Sequence, residues 1–387
     1  MAKMRLNKPN FDKPNHSPLV LLIGSLVLAV LLAVFFASSS RHRENVERVT
    51  IDNLRPRLDV KGNIIDAHGG CLQVFNGRFY LYGNRLGTNR VDSIFNCPFS
   101  VYTSPDLKDW TYAGDLLRDA PKGFYYRPYV IFNARTKKYV LWYNWYQKLW
   151  KGQEGVAVSD SPTGPFTIVH QKADILGSSP GDGTLFVDDD GTGYYIYTDI
   201  ANDYAVRVER LTPDYLDSSG KGSEFIGYGL EAPLLFRRNN LYYVLCASLC
   251  ADCPQGSETA VEISGSPVGP YAFAGNINHN SGTNTLQASG QDPDLEVIQS
   301  DTNDSSEYFH SRAPKHPFIH GQQTWVARIP TAGGPIFIWM ADGWRTARDG
   351  TRGHDFQYWS APLKFLPDGS IQPLRYSPAW TITWVKN

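Results

Sequence analysis

The stretch DDDGTGYYIYTD at residues 188–199 sets an acidic, glycine-rich turn directly before an aromatic-rich run. Turn chemistry of Asp and Gly followed by such a run reads as the reversal and return strand of a β-hairpin. The same order recurs in FNGRFYLYG (75–83), NARTKKYVLWYN (133–144), RRNNLYYVLCAS (237–248) and TAGGPIFIWMAD (331–342). Each turn is preceded by a second apolar strand: CLQVF, PYVIF, GTLFV, APLLF and TWVARI. A further strand, a Ser-Pro turn and an edge aromatic follow several hairpins, as in VYTSPDLKDWTYAG (101–114), AVSDSPTGPFTIV (157–169) and EISGSPVGPYAFAG (262–275). A four-stranded unit of this kind cannot bury both faces alone, so repeats stack radially around a channel. Five repeats predict an all-β fold, a five-bladed β-propeller.

The aromatics Tyr80, Tyr139, Tyr195, Tyr243 and Phe337 mark equivalent positions. Their spacing is even except before the last, where residues 276–316 read as a loop insertion between blades IV and V. Upstream, PLVLLIGSLVLAVLLAVFFA at residues 18–37 carries no charge. At about 1.5 Å per residue such a helix spans the hydrocarbon core of a bilayer. A cleaved signal peptide has a shorter apolar run, so the sequence points to a retained N-terminal transmembrane helix. The expected organisation is a cytoplasmic tail (1–17), a signal anchor (18–38), a linker (39–62) and the propeller (63–387). A single-pass type II membrane protein results, with its propeller lumenal or extracellular. A membrane is thus an expected partner.

The net charge is −1, and no stretch of the propeller concentrates Lys and Arg, so nucleic acid is excluded as a partner. Five cysteines are present, and Cys246, Cys250 and Cys253 lack the fourth ligand a zinc site needs; a local disulfide is the better reading. Asn303-Asp304-Ser305 is a glycosylation sequon. No cofactor is called for, and a structural calcium ion is the one such question left open. Asp188, Asp189 and Asp190 share the turn position of Asn76-Gly77 and Asn239-Asn240, so they read as turn residues and not as a metal site.

Residues just before the first strand of each blade converge on one end of the channel. These are Asp66–Gly70, Tyr126–Pro128, Gly181–Gly183, Leu230–Pro233 and Gly321–Thr324. Asp182 and Glu231, entering one cavity from adjacent blades, suit acid/base work on a glycosidic bond. Inverting hydrolysis needs a protonated carboxyl on the leaving oxygen and a partner that activates water about 6.5–9.5 Å away. His68 lacks a second histidine in ligand spacing, so a hydrogen-bonding or substrate-contacting role fits it better than a metal-ligand or base role. Trp145, Trp150 and Trp344 could stack on sugar rings, although core packing is the commoner fate of a propeller Trp.

The chain resembles glycoside hydrolase family 43, most closely its exo-β-1,3-galactanase-like subfamily. The resemblance rests on Ala67–Gly70, Arg127–Asn133, Asp182–Gly191, Arg210–Leu216, Glu231–Pro233, Gln322–Thr324, and Asp342 with Trp344. It implies that Glu231 is the general acid, that Asp182 tunes and orients it, and that Gln322 handles the attacking water. His68, Asn84, Tyr126, Arg127, Asp342 and Trp344 are then expected around the substrate. Tyr126 and Asn84 depart from the family, which commonly places Glu at both positions. Inverting exo-hydrolysis of β-1,3-linked galactan or a related galactose-containing glycan is the implied activity. A carbohydrate-binding propeller with weak or no turnover is the second reading.

Overall fold

The computed structural model describes residues 46–88, 99–148, 151–248, 257–278, 321–331, 333–343 and 357–385, together with Asn96 and Ile319. After β1 (Val46–Asp52), blade I comprises β2 (Leu72–Phe75), β3 (Arg78–Asn84), β4 (Phe99–Ser104) and β5 (Thr111–Asp115). Blade II comprises β6 (Phe124–Asn133), β7 (Lys138–Tyr146), β8 (Gln153–Ser159) and β9 (Thr167–His170). Blade III follows with β10 (Pro180–Val187), β11 (Gly193–Asp199), β12 (Ala205–Leu211) and β13 (Ser218–Gly222). Blade IV contains β14 (Leu230–Arg238), β15 (Leu241–Ser248), β16 (Ala260–Ser264) and β17 (Ala272–Asn276). In blade V, β18 (Gln322–Ile329), β19 (Ile336–Asp342) and β20 (Gln357–Trp359) form a three-stranded sheet. Within each blade the strands pair antiparallel in chain order. The expected five-bladed propeller is present, and its blades lie within one unit, Glu47–Trp384.

Aromatic side chains bind blade to blade, which is where the repeat's aromatic bias goes. Phe75 meets Tyr139 edge-on at 5.1 Å, Trp142 lies 4.8 Å from Tyr195, and Phe236 lies 5.3 Å from Phe337. Each such pair contributes about 0.5–1.5 kcal/mol beyond its buried area. The ring closes where the Trp325 indole donates to the Leu72 carbonyl at 3.0 Å, joining blade V to blade I. Trp145 is buried, so it packs the core; Trp150 and Trp344 lie outside the described residues.

At the far end of the blades, Asn76 and Asn239 take left-handed backbone (φ 51° and 54°), as the hairpin turns require. Asp188 accepts from Arg237 and from the Tyr242 hydroxyl, each at 2.6 Å, tying the blade III turn to blade IV. No cluster of three or more His, Cys, Asp or Glu suited to a metal occurs among the described residues.

Within the span expected as a linker (39–62), β1 pairs with β21 (Ala379–Val385), and Asn53 and Arg57 donate to the Trp359 and Gln357 carbonyls of blade V. One expectation needs correction: Cys246 does not form a local disulfide. It is a free thiol buried in β15, whose pairing with β14 and β16 turns it into the core. Cys250, Cys253 and the 303–305 sequon lie outside the described residues. Among the described residues no helix is long and apolar enough to cross a membrane, and the expected anchor at 18–38 lies outside them.

Candidate active site

One backbone device, repeated in every blade, builds the site. The start of each first strand carries one residue more than its partner strand. Tyr126 pairs with Asn144 but Tyr129 with Trp142; Pro180 pairs with Asp199 but Gly183 with Tyr197. Glu231 pairs with Ala247 but Leu234 with Leu245, and Gln323 pairs with Ala341 but Trp325 with Met340. In blade I, His68 bridges Asn84 while Leu72 pairs with Leu81. Such a bulge interrupts the ladder, bends the strand and re-aims its side chains. It also explains the Arg-Pro and Ala-Pro pairs: a bulge tolerates a proline that has no N–H for the ladder. Arg127 and Ala232, just before those prolines, sit at φ 52° and 48°, a conformation costing non-glycine residues of order 1 kcal/mol or more.

The bulges bring four predicted residues together. Arg127, only 4% exposed, is the hub. Its Nη2 donates to Asp182 Oδ2 at 3.0 Å and to Gln322 Oε1 at 2.8 Å, while Nη1 donates to the Gln323 carbonyl at 3.0 Å. Asp182 Oδ2 also accepts from the backbone N–H of Ala232 at 3.1 Å. Since guanidinium only donates, Gln322 must turn Oε1 to Arg127, which leaves Nε2 to donate to Glu231 Oε2 at 3.2 Å. The chain Asp182–Arg127–Gln322–Glu231 thus links blades II to V.

Electrostatics divides the labour between the two carboxyls. Burial first, and the charge of Asp182 second, push Glu231 up to about 8, with Arg127 opposing. Glu231 therefore holds its proton near neutral pH. Asp182, paired with a guanidinium, supplies the negative charge that keeps it there. An acid held protonated beside an anion is how one site runs acid chemistry at neutral pH.

Blade I contributes scaffold. His68 is fully enclosed, with Nε2 3.6 Å from Asp66 and Nδ1 3.7 Å from Asp342. Asp66 accepts from the Leu86 and Gly87 N–H groups, and Asp342, opposite Gln322 in the β18–β19 register, accepts from Gly69 N–H at 2.6 Å. Asn84 is 3% exposed and donates to the Tyr125 carbonyl at 2.8 Å, tying β3 to β6. His68 and Asn84, expected around the substrate, have enclosed side chains that hold together the blades carrying the site. Tyr126 is half-buried and packs edge-on against Tyr146 at 5.6 Å. Tyr146 went unnoticed in the sequence. Burial first, then the charges of Asp182 and Glu154, push its hydroxyl well above the usual range, and Glu231 also acts on it. It ends β7, at a position no motif marks.

Comparison with known proteins places the chain in a family and a fold. The model of the glycosyl hydrolases family 43 matches residues 88–344. An arabinoxylan arabinofuranohydrolase of Bacillus subtilis (strain 168) is 29% identical over 277 residues, covering 57% of this chain and 52% of that protein. One from Paenibacillus polymyxa is 27% identical over 319 residues, covering 67% and 47%. The chain thus spans about half the length of these curated relatives. Among solved structures, an exo-β-1,3-galactanase from Clostridium thermocellum superposes with a TM-score of 0.67 at 24% identity, covering 85% of this chain and 66% of that one. An exo-β-1,3-galactanase from Phanerochaete chrysosporium with β-1,3-galactotriose superposes with a TM-score of 0.66 at 22% identity, covering 87% and 70%. At these identities the superpositions speak for the fold.

Proposed function

The chain belongs to glycosyl hydrolase family 43, and we propose that it removes galactose from the ends of β-1,3-linked galactan or a related glycan with inversion. The observation that carries this reading is that Arg127 and Gln322 gather two carboxyls from adjacent blades, Asp182 and Glu231, into one hydrogen-bonded cluster. Glu231 delivers its proton to the glycosidic oxygen as the bond to the sugar breaks. A water on the opposite face attacks the oxocarbenium-like carbon and passes its proton to bulk water as the new bond forms, and solvent later returns a proton to Glu231. The family resemblance gives the handling of that water to Gln322. Arg127 polarises the amide and, with Asp182, keeps the site close to charge balance. Two of the solved structures named above are exo-β-1,3-galactanases, one of them with β-1,3-galactotriose, and they support the choice of sugar.

Tyr126 favours a second reading, a propeller that binds galactan and turns it over slowly or not at all. It sets a phenol where the resemblance expects a carboxylate. Incubating the full-length chain in detergent with β-1,3-galacto-oligosaccharides, and assaying both binding and release, separates the two. Binding without release leaves the second reading standing.

We further propose that residues 18–38 are a retained signal anchor that places the propeller in the lumen or outside the cell. The support is the length of the uncharged run. Protease protection of the C-terminal domain in intact vesicles is the expected result; a propeller released by carbonate washing contradicts it.

A further inference from the structure

Asp182 is held in front by Arg127 and Ala232, and behind it lies a buried acid that the proposed reaction leaves unused. Glu154, on β8, is 2% exposed. Its Oε1 accepts from the Asn144 amide at 2.7 Å, and the same amide nitrogen donates to the Pro180 carbonyl at 3.2 Å. Pro180 is the residue at which the blade III bulge departs from its register. On the other side of Asp182, a Cβ on Gly183 would stand 2.3 Å from the Tyr195 hydroxyl, so that ring is pressed against the strand. The Tyr195 hydroxyl in turn lies beside Glu154. Gly152 closes the same wall, since a Cβ there would stand 1.8 Å from the Pro180 carbonyl.

We propose that Glu154 is a positioning residue which, through Asn144 and Tyr195, fixes the Pro180–Gly183 bulge and so aims Asp182 at Arg127. It acts in its neutral form: burial pushes Glu154 up to about 8 against the opposing hydrogen bonds from Tyr195 and Asn144, with the charge of Asp182 adding to the rise. Neutrality matters here because an anion behind Asp182 would repel the carboxylate it is meant to place. Tyr143 and Tyr146 of β7 complete the surroundings, each pushed upward first by burial and in part by Glu154. A neutral acid that accepts from an amide can be copied by Gln and cannot be copied by Ala.

The inference rests on the hydrolase reading, and its test separates the two. Steady-state kinetics on β-1,3-galactotriose are compared for the full-length parent, Glu154→Gln and Glu154→Ala. Glu154→Gln is expected to keep kcat within about threefold, whereas Glu154→Ala loses at least about tenfold in kcat with KM within about twofold, the mark of an interaction made only in the transition state. Should Glu154→Ala fail to fold, Asn144→Leu, which breaks the same chain at similar volume, is expected to show the same loss. The proposal is overturned if Gln loses as much as Ala, or if the alanine variant lowers thermal stability alone. If the parent itself releases no sugar, the hydrolase reading fails and the inference is decided by the crystal structure of Glu154→Ala. There the Arg127–Asp182 contact, 3.0 Å in the parent, must lengthen or break; an unchanged contact overturns it.

Discussion

Replacing Glu231 by Gln should slow catalysis and stabilise the fold, and the second effect can be sized. In the unfolded chain Glu231 ionises at its ordinary value of 4.5, whereas in the folded site it holds its proton to about 8. A group whose folded proton affinity is raised binds more protons folded than unfolded between those two values. Stability therefore falls as pH rises through that window and levels off above it. Near pH 7 the window has been crossed by about 2.5 units, worth on the order of 3 kcal/mol at about 1.4 kcal/mol per unit. Glutamine keeps the shape, can still accept from Gln322, and carries no proton to hold. Urea unfolding of parent and Glu231→Gln, followed from near pH 4.5 to near pH 8, should show near-equal stability at the acidic end. By about pH 7 the variant should lead by roughly 2–3 kcal/mol. Turnover on substrates with poor leaving groups should meanwhile fall by about 10²–10⁴, and by less where the leaving group needs no proton. A variant no more stable near neutral pH, or a gap that does not change with pH, would refute the assignment of a buried neutral acid.

Three further outcomes follow from the same contacts. Asp182→Asn removes the charge that helps keep Glu231 protonated and leaves Arg127 unbalanced, so the alkaline limb of the pH–rate profile should move down by about one unit; an unmoved limb counts against the coupling. Gly183→Ala drives a methyl toward the Tyr195 hydroxyl and should cost about 1–3 kcal/mol by overpacking, with Tyr195→Phe in the same chain recovering part of it in thermal melts. Tyr126→Glu restores the carboxylate expected from the resemblance and should raise kcat on β-1,3-galacto-oligosaccharides; unchanged kcat shows that the pocket no longer uses that position.

The propeller was legible because each blade repeats the same turn chemistry and aromatic strand, and those aromatics do pack between blades. Glu231, Asp182, Gln322 and Arg127 were legible for a related reason: they occupy equivalent places at the strand starts, so register alone brings them to one end of the channel. What register cannot show is which way a bulge turns a side chain. His68 and Asn84 stand in line with the site residues, yet their side chains are enclosed. Nor does any motif mark Tyr146 or Glu154, which lie on later strands and reach the site by tertiary packing. The pairing of β1 with β21 escaped notice because it joins the two ends of the described chain, and no local period records such a closure.

Proton NMR of β-1,3-galactotriose incubated with the full-length chain tests the central claim most directly, because the anomer released first reports the stereochemistry of the attack. The proposed inverting mechanism predicts that free galactose appears first as the α-anomer and only later equilibrates, with Gln322→Ala slowing its release far more than it weakens binding. Galactose appearing first as the β-anomer, or galactotriose that binds and is never cleaved, would contradict the account.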